Sequence, residues 1–267
     1  VLLAGAVHRV EFQPIVRWLE SCTATTSASQ IAAFAPEDLR AADLAVVFQS
    51  RPGELDDSTL SAVRAQAPLL RVVLVVGPWC EGERRRGAPP EGVWRLPWHR
   101  CRLQLQRALD DAAQGRCPAW GEPLTAGAEE WYCAESHRPW PGGQGTVLIA
   151  ARGEMVPLLI DVCRAGGYVP VAIGAPPECW SVLRLAFCLA AIWEGTDGSP
   201  RELLELSALV RAVRPAHVVA LLDFPRGETL AAARGSGASA VLGKPVMLGD
   251  LYDALGRWSR AERGAMV

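Results

Sequence analysis

The stretch "GASAVLGKPVMLGDLYDAL", Gly237 to Leu255, decides how this chain folds. "ASAVLG" is an apolar run of strand length, and "MLGDLYDALGRW" has the spacing of an amphipathic helix. Between them stands Lys244-Pro245. A lysine that closes a strand just before a helix lies at the C-terminal edge of a sheet, where α/β folds bind their ligands.

The same alternation extends upstream to Gly145. "GTVLIAA", "YVPVAI", "FCLAAIW" and "HVVALLD" read as four earlier strands. "GEMVPLLIDVCRAGG" sets Met155, Leu158, Leu159 and Val162 on one helical face and stops at Gly166-Gly167. Glu178 to Phe187 reads as a helix. "SPRELLELSALVRAVRP" opens with Ser199 as N-cap, Pro200 at the first helical position and Glu202 behind them. "GETLAAARGSG" is a helix ended by glycines. Strands alternating with helices in this way predict a parallel sheet covered on both faces.

Residues 1–112 repeat the plan more loosely. "VLLAGA", "ATTSAS", "ADLAVVFQS", "LLRVVLVVG" and "GVWRLPW" are its strands, and "QPIVRWLES", a helix capped at Asp56-Asp57 and "RCRLQLQRALDDA" its helices. A further helix is missing from "PWCEGERRRGAPPE", which reads as a loop. Residues 113–144 are rich in Pro, Gly and Glu and form a linker, with Trp120, Trp131 and Trp140 packing part of it on a domain. The expected organisation is 1–112, linker 113–144 and 145–267, two flavodoxin-like domains, each with a five-stranded parallel sheet.

Bulk properties narrow the function. At 267 residues and net charge −2 there is no electrostatic case for nucleic acid, and no apolar run reaches membrane-spanning length. The eight cysteines form no C-x-x-C pair and several sit in apolar runs, which fits reduced, cytoplasmic usage. The chain has no P-loop and no G-x-S-x-G elbow, and its four histidines lack clear triad partners.

In order and spacing, residues 145–258 resemble bacterial response-regulator receiver domains, with Lys244-Pro245 the most specific piece. Residues 1–112 resemble them only in plan. The resemblance implies two acidic residues after the first strand to hold Mg²⁺, an aspartate after the third to accept a phosphoryl group, a Thr or Ser after the fourth and a Lys after the fifth. Those positions fall here on Ala151-Arg152, on Ala190 or Ala191, on Leu222 and on Lys244. In the first half they fall near Gly5-Ala6, Gln49 and Leu96-Pro97. The receiver chemistry is therefore expected to be missing twice, and the Lys244–Pro245 bond is expected to be cis, as that step is in receivers.

The expectation is a non-enzymatic, non-phosphorylatable tandem pseudo-receiver in phosphorelay-type signalling, with no cofactor and no metal. It would act through a signalling protein partner or as a homodimer through the last strand and helix. Leu248, Tyr252 and Leu255 mark that surface, and Trp79, Trp94 and Trp98 beside several arginines have the composition of an interface hot spot. The alternative is a sensor for a small anion or nucleotide in the vacated crevice of Ala151, Arg152, Ala190, Leu222, Lys244 and Pro245. A salt bridge from Lys244 to Asp223 or Glu194 is the simplest reading of that lysine. A metal on Glu194, Asp197 and Asp223, or zinc on Cys80, His99 and Cys101, is disfavoured by neighbouring positive charge and by spacing.

Overall fold

The computed structural model describes residues 1–80, 90–127, 130–131, 142–174, 180 and 188–265, with 257–265 as backbone alone. The chain divides into two compact units, Val1–Arg138 and Pro139–Val267. Apart from Trp180, which is buried, the helix expected at Glu178–Phe187 lies outside the described residues, as does the charged part of the loop before the fifth strand.

The first unit runs β1 (Leu2–Gly5), α1 (Gln13–Cys22), β2 (Thr26–Ala28), α2 (Pro36–Ala41), β3 (Leu44–Gln49), α3 (Asp57–Gln66), β4 (Arg71–Val76), β5 (Trp94–Pro97) and α4 (Trp98–Ala113). Its strands are all parallel, in the order β2-β1-β3-β4-β5. That is the flavodoxin-like order, whose direction reverses between the first and third strands. β3 is buried at every position and β4 at all but Arg71, as central strands covered on both faces must be. Ala45, Val47, Val72, Leu74 and Val76 share one face with Leu60 and Val63 of α3. Leu3, Val46, Phe48, Val73 and Val75 have the opposite parity and face the other way. The N-cap of α3 is Asp56, whose side chain accepts the Thr59 N–H.

Residues after α4 contribute to this unit's packing. Trp94 is almost fully buried, with Trp120 and Trp131 each 6.3 Å from it between ring centroids. The Trp131 indole donates to the Ala126 carbonyl, and Arg71 donates to the Glu122 carbonyl.

The second unit runs β6 (Thr146–Ala150), α5 (Met155–Ala165), β7 (Val169–Ala172), β8 (Ala190–Glu194), α6 (Pro200–Val213), β9 (His217–Asp223), α7 (Gly227–Gly235), β10 (Ala240–Lys244) and α8 (Leu248–Ala265). Its order, β7-β6-β8-β9-β10, is the same topology, again all parallel. Lys244–Pro245 is cis. On the edge strand β7 the Val169 and Ile173 amides bond to β6, so the alternate residue Pro170 faces the open edge with no N–H to offer.

The strand expected at 187–193 lies at Ala190–Glu194. Phe187 to Trp193 is one apolar run, and burial on both faces removes the alternation that would locate its end.

Deleting the Trp94 side chain should destabilise the first unit by about 3–5 kcal/mol, the usual cost of emptying a buried Trp site. Urea unfolding followed by far-UV circular dichroism checks this. Trp79→Ala, at a site 79% exposed, should stay within about 0.5 kcal/mol of the parent.

Candidate functional site

The C-terminal ends of β6, β8, β9 and β10 converge on one charged cluster. Strand register pairs Lys244 with Asp223, and β8 ends on Glu194. The Lys244 ammonium lies 3.0 Å from a carboxylate oxygen of each. The second oxygen of Glu194 accepts the Arg152 backbone N–H at 2.9 Å, so both oxygens of that carboxylate are engaged. Burial alone would lower the Lys244 pKa, but the hydrogen bonds and charges of Asp223 and Glu194 outweigh it and raise it.

Positive charge occupies the place where receivers hold their metal. Ala151 and Arg152 follow β6, and the Arg152 guanidinium reaches Glu205 of α6 at 2.6 Å. Arg201 approaches the other oxygen of Glu205 at 3.5 Å. Both cations of the crevice are thus committed to carboxylates, which weakens the case for an anion there.

The loop after β8 is tied by a buried glutamate. Glu202 accepts the Thr196 amide and hydroxyl through one oxygen and the Gly198 amide through the other. Ser199 caps α6, and Asp197 accepts the Ser199 amide, which is a turn role. Burial would raise the Glu202 pKa, but the bonds from Thr196, Gly198 and Ser199 prevail and lower it.

The structure moves several expected positions. Ala190 and Ala191 sit at the N-terminal end of β8, in register with Val147 and Leu148 and with His217 and Val218, far along the strand from the crevice. Glu194 takes the acceptor place instead. Leu222 is completely buried, and the next residue, Asp223, closes β9. Lys244, Pro245, Ala151 and Arg152 do lie at the C-terminal edge.

In the first unit Gly5 ends β1 at φ 86°, where a Cβ would strike the Phe48 carbonyl oxygen. Gln49, almost fully buried, donates to the Cys80 sulfur and accepts weakly from the Leu55 amide at 3.4 Å. Leu96 is buried, and Pro97 is the N-cap of α4. Cys80 and Cys101 are buried, burial pushing the Cys101 thiol pKa far upward. Cys133 and His137 lie outside the described residues.

The expected interaction residues separate by exposure. Trp79 is 79% exposed and Leu248 52%. Trp94, Trp98 and Leu255 are core residues at 5% or less and cannot form an outer surface. Trp94 and Leu96 are the inward positions of an alternating strand, and Leu251 and Leu255 lie one turn apart on the buried side of α8. Tyr252 is half-buried and donates to the Val162 carbonyl at 2.8 Å. The sequence reading missed Phe224, which follows β9, is 77% exposed and has a left-handed φ of 40°.

Two measurements test these networks. A lysine with a raised folded pKa contributes stability that is present below its unfolded value, near 10.5, and is lost as pH climbs through the folded value. Lys244→Met should cost about 1–3 kcal/mol at neutral pH and flatten that alkaline limb in urea titrations. A glutamate with a lowered pKa contributes stability above 4.5, lost as pH falls through its folded value. Glu202→Gln should cost about 1–2 kcal/mol at pH 7 and little in strong acid, read from melting curves across acidic pH.

No family model matches this chain, and no curated protein matches it. Among solved structures it is similar to a pilus assembly-related protein of Burkholderia pseudomallei K96243, with 20% identity over 43% of this chain and 89% of that one, TM-score 0.38. The pilus assembly protein CpaE of Caulobacter crescentus CB15 gives 19% identity over 42% and 92%, TM-score 0.35. A two-component response regulator/GGDEF domain protein gives 10% identity over 97% and 98%, TM-score 0.35. By strand order and direction, each unit of this chain is a receiver-like, flavodoxin-type α/β domain.

Proposed function

We propose that the chain is a non-catalytic, non-phosphorylatable tandem pseudo-receiver that acts in phosphorelay-type signal transduction through protein–protein contact. The observation that carries this reading is the state of Glu194. It stands where a receiver would accept a phosphoryl group, with one oxygen on Lys244 and the other on the Arg152 amide. The residues after β6, where a receiver carries its metal-binding acids, are Ala151 and Arg152, so no carboxylate there would hold the Mg²⁺ that phosphoryl transfer to Glu194 would need. The first unit supports the same reading, since a buried glutamine stands at the end of β3. Receiver topology and the Lys244-Pro245 step favour signalling over an unrelated α/β role.

The partner contact would use the exposed apolar residues that follow β9 and β10, Phe224 and Leu248, whereas Tyr252 is turned to α5 by its bond to the Val162 carbonyl. A homodimer through β10 and α8 would also use Leu248. A reducing, cytoplasmic setting suits the buried, unbridged thiols of Cys80, Cys101, Cys163 and Cys188. Among the described residues no helix is long and apolar enough to cross a membrane.

Incubation with acetyl phosphate and Mg²⁺, followed by intact-mass spectrometry, tests the central claim. The chain should stay unmodified. A hydroxylamine-labile phosphoryl adduct in either unit would overturn it.

A further inference from the structure

A cleft of about 770 Å³ opens in the first unit, at the C-terminal ends of β1, β2 and β3. This is the topological switch point of the sheet, where open α/β folds take ligands, and the volume falls within the roughly 300–1,000 Å³ of small-molecule sites. Its lining combines the β1–α1 loop, the end of β2 and the segment from the end of β3 into α3.

The acids in that lining are already used. Glu54 accepts the Ser50 amide and hydroxyl, and Asp56 accepts the Thr59 amide and the Ser58 hydroxyl. The basic groups are not. His8 and Arg9 line the cleft, and among the described residues their side chains have no hydrogen-bond or ion-pair partner. Ser27, Ser29 and Gln30 line it from the β2 side, and their side chains are also without a partner among the described residues. A wall carrying His8 and Arg9 and a wall of hydroxyls and an amide therefore border one space, and the carboxylates of Glu54 and Asp56, on the β3 side, are turned onto neutral donors of the protein but keep their charge. A simple cation would meet the uncommitted basic groups, and a bare inorganic anion would leave the hydroxyl wall unused.

We propose that this cleft binds a phosphorylated sugar, nucleotides included, with its phosphoryl group at His8 and Arg9 and its sugar hydroxyls at Ser27, Ser29 and Gln30. Arginine forks and imidazole donors suit phosphate oxygens, and short hydroxyl side chains exchange hydrogen bonds with a sugar in either direction. The site is separate from the Lys244 crevice and does not depend on whether either unit accepts a phosphoryl group.

Isothermal titration calorimetry on the full chain tests this with ribose 5-phosphate and adenosine monophosphate as probes. Ribose and inorganic phosphate serve as the two half-ligands. At least one phosphorylated probe should bind, about tenfold or more tighter than either half-ligand. The double variant His8→Ala/Arg9→Ala should lose about tenfold or more in affinity, and Ser27→Ala/Ser29→Ala a smaller factor. Both pairs are exposed, so circular dichroism should show an unchanged fold. Arg211→Ala, at an exposed position of α6 in the other unit, should bind as the parent does. The proposal is overturned if neither phosphorylated probe binds at millimolar concentration, if inorganic phosphate binds equally well, or if the His8/Arg9 variant keeps its affinity.

Discussion

Lys244 is held between two carboxylates at the end of an edge strand, and the second unit's crevice is organised by that contact. An unpaired ammonium in so enclosed a position would carry a desolvation cost, and so would the carboxylate of Glu194. Each neutralises the other, and Asp223 completes the group from the neighbouring strand. The Arg152 amide then fixes the second oxygen of Glu194 and ties the start of the β6–α5 loop to the end of β8. Arg152 turns its guanidinium to Glu205, and Glu202 on the same helix ties the loop after β8. A set of mutual ionic and hydrogen-bond constraints thus ties the loops of the crevice to one another.

The first unit reaches the same topology by different means. Where the second unit uses charge, this one uses backbone contact and aromatic packing: Gly5 against the Phe48 carbonyl, and Phe12 against Phe48 at 5.2 Å between centroids. Gln49 is neutral and satisfied locally, so the last residue of β3 brings no charge where β8 of the second unit ends on Glu194. The open space lies over the ends of β1, β2 and β3, and its uncommitted groups come from the β1–α1 loop, β2 and the residues that follow β2. One fold therefore presents two different surfaces at equivalent ends, consistent with sites being grafted on a common framework.

Most of this architecture was legible because its signals are local. The Ser199 cap, the Gly166-Gly167 stop and the continuous apolar runs of β3, β4 and β9 each follow from a few adjacent residues. Lys244 pairing with Asp223 and Glu194 was also readable, since all three end strands or start the loops after them. The end of β8 was not, because a strand buried on both faces has no alternation to count. That slip moved the acceptor place from Glu194 to Ala190. Helix α2 is too short for a periodic pattern to emerge. By composition Trp94 and Trp98 read as a surface, since arginine and tryptophan in one loop resemble an interface, but the in–out alternation of Trp94 to Pro97 turns Trp94 inward. The cleft over β1 to β3 draws on three separate segments, and no single stretch of sequence encodes its shape.

Pro170 has a consequence for how the second unit can associate. An open sheet edge is a template on which another extended chain can grow by main-chain pairing. On β7 the outward position that should supply the next N–H is an imino nitrogen. Growth from that side would lose a rung of the ladder at once, even though Val169 and Val171 expose apolar side chains there. The proline thus works against templated pairing at that edge, while Val169 and Val171 leave apolar side chains there for contacts of another kind.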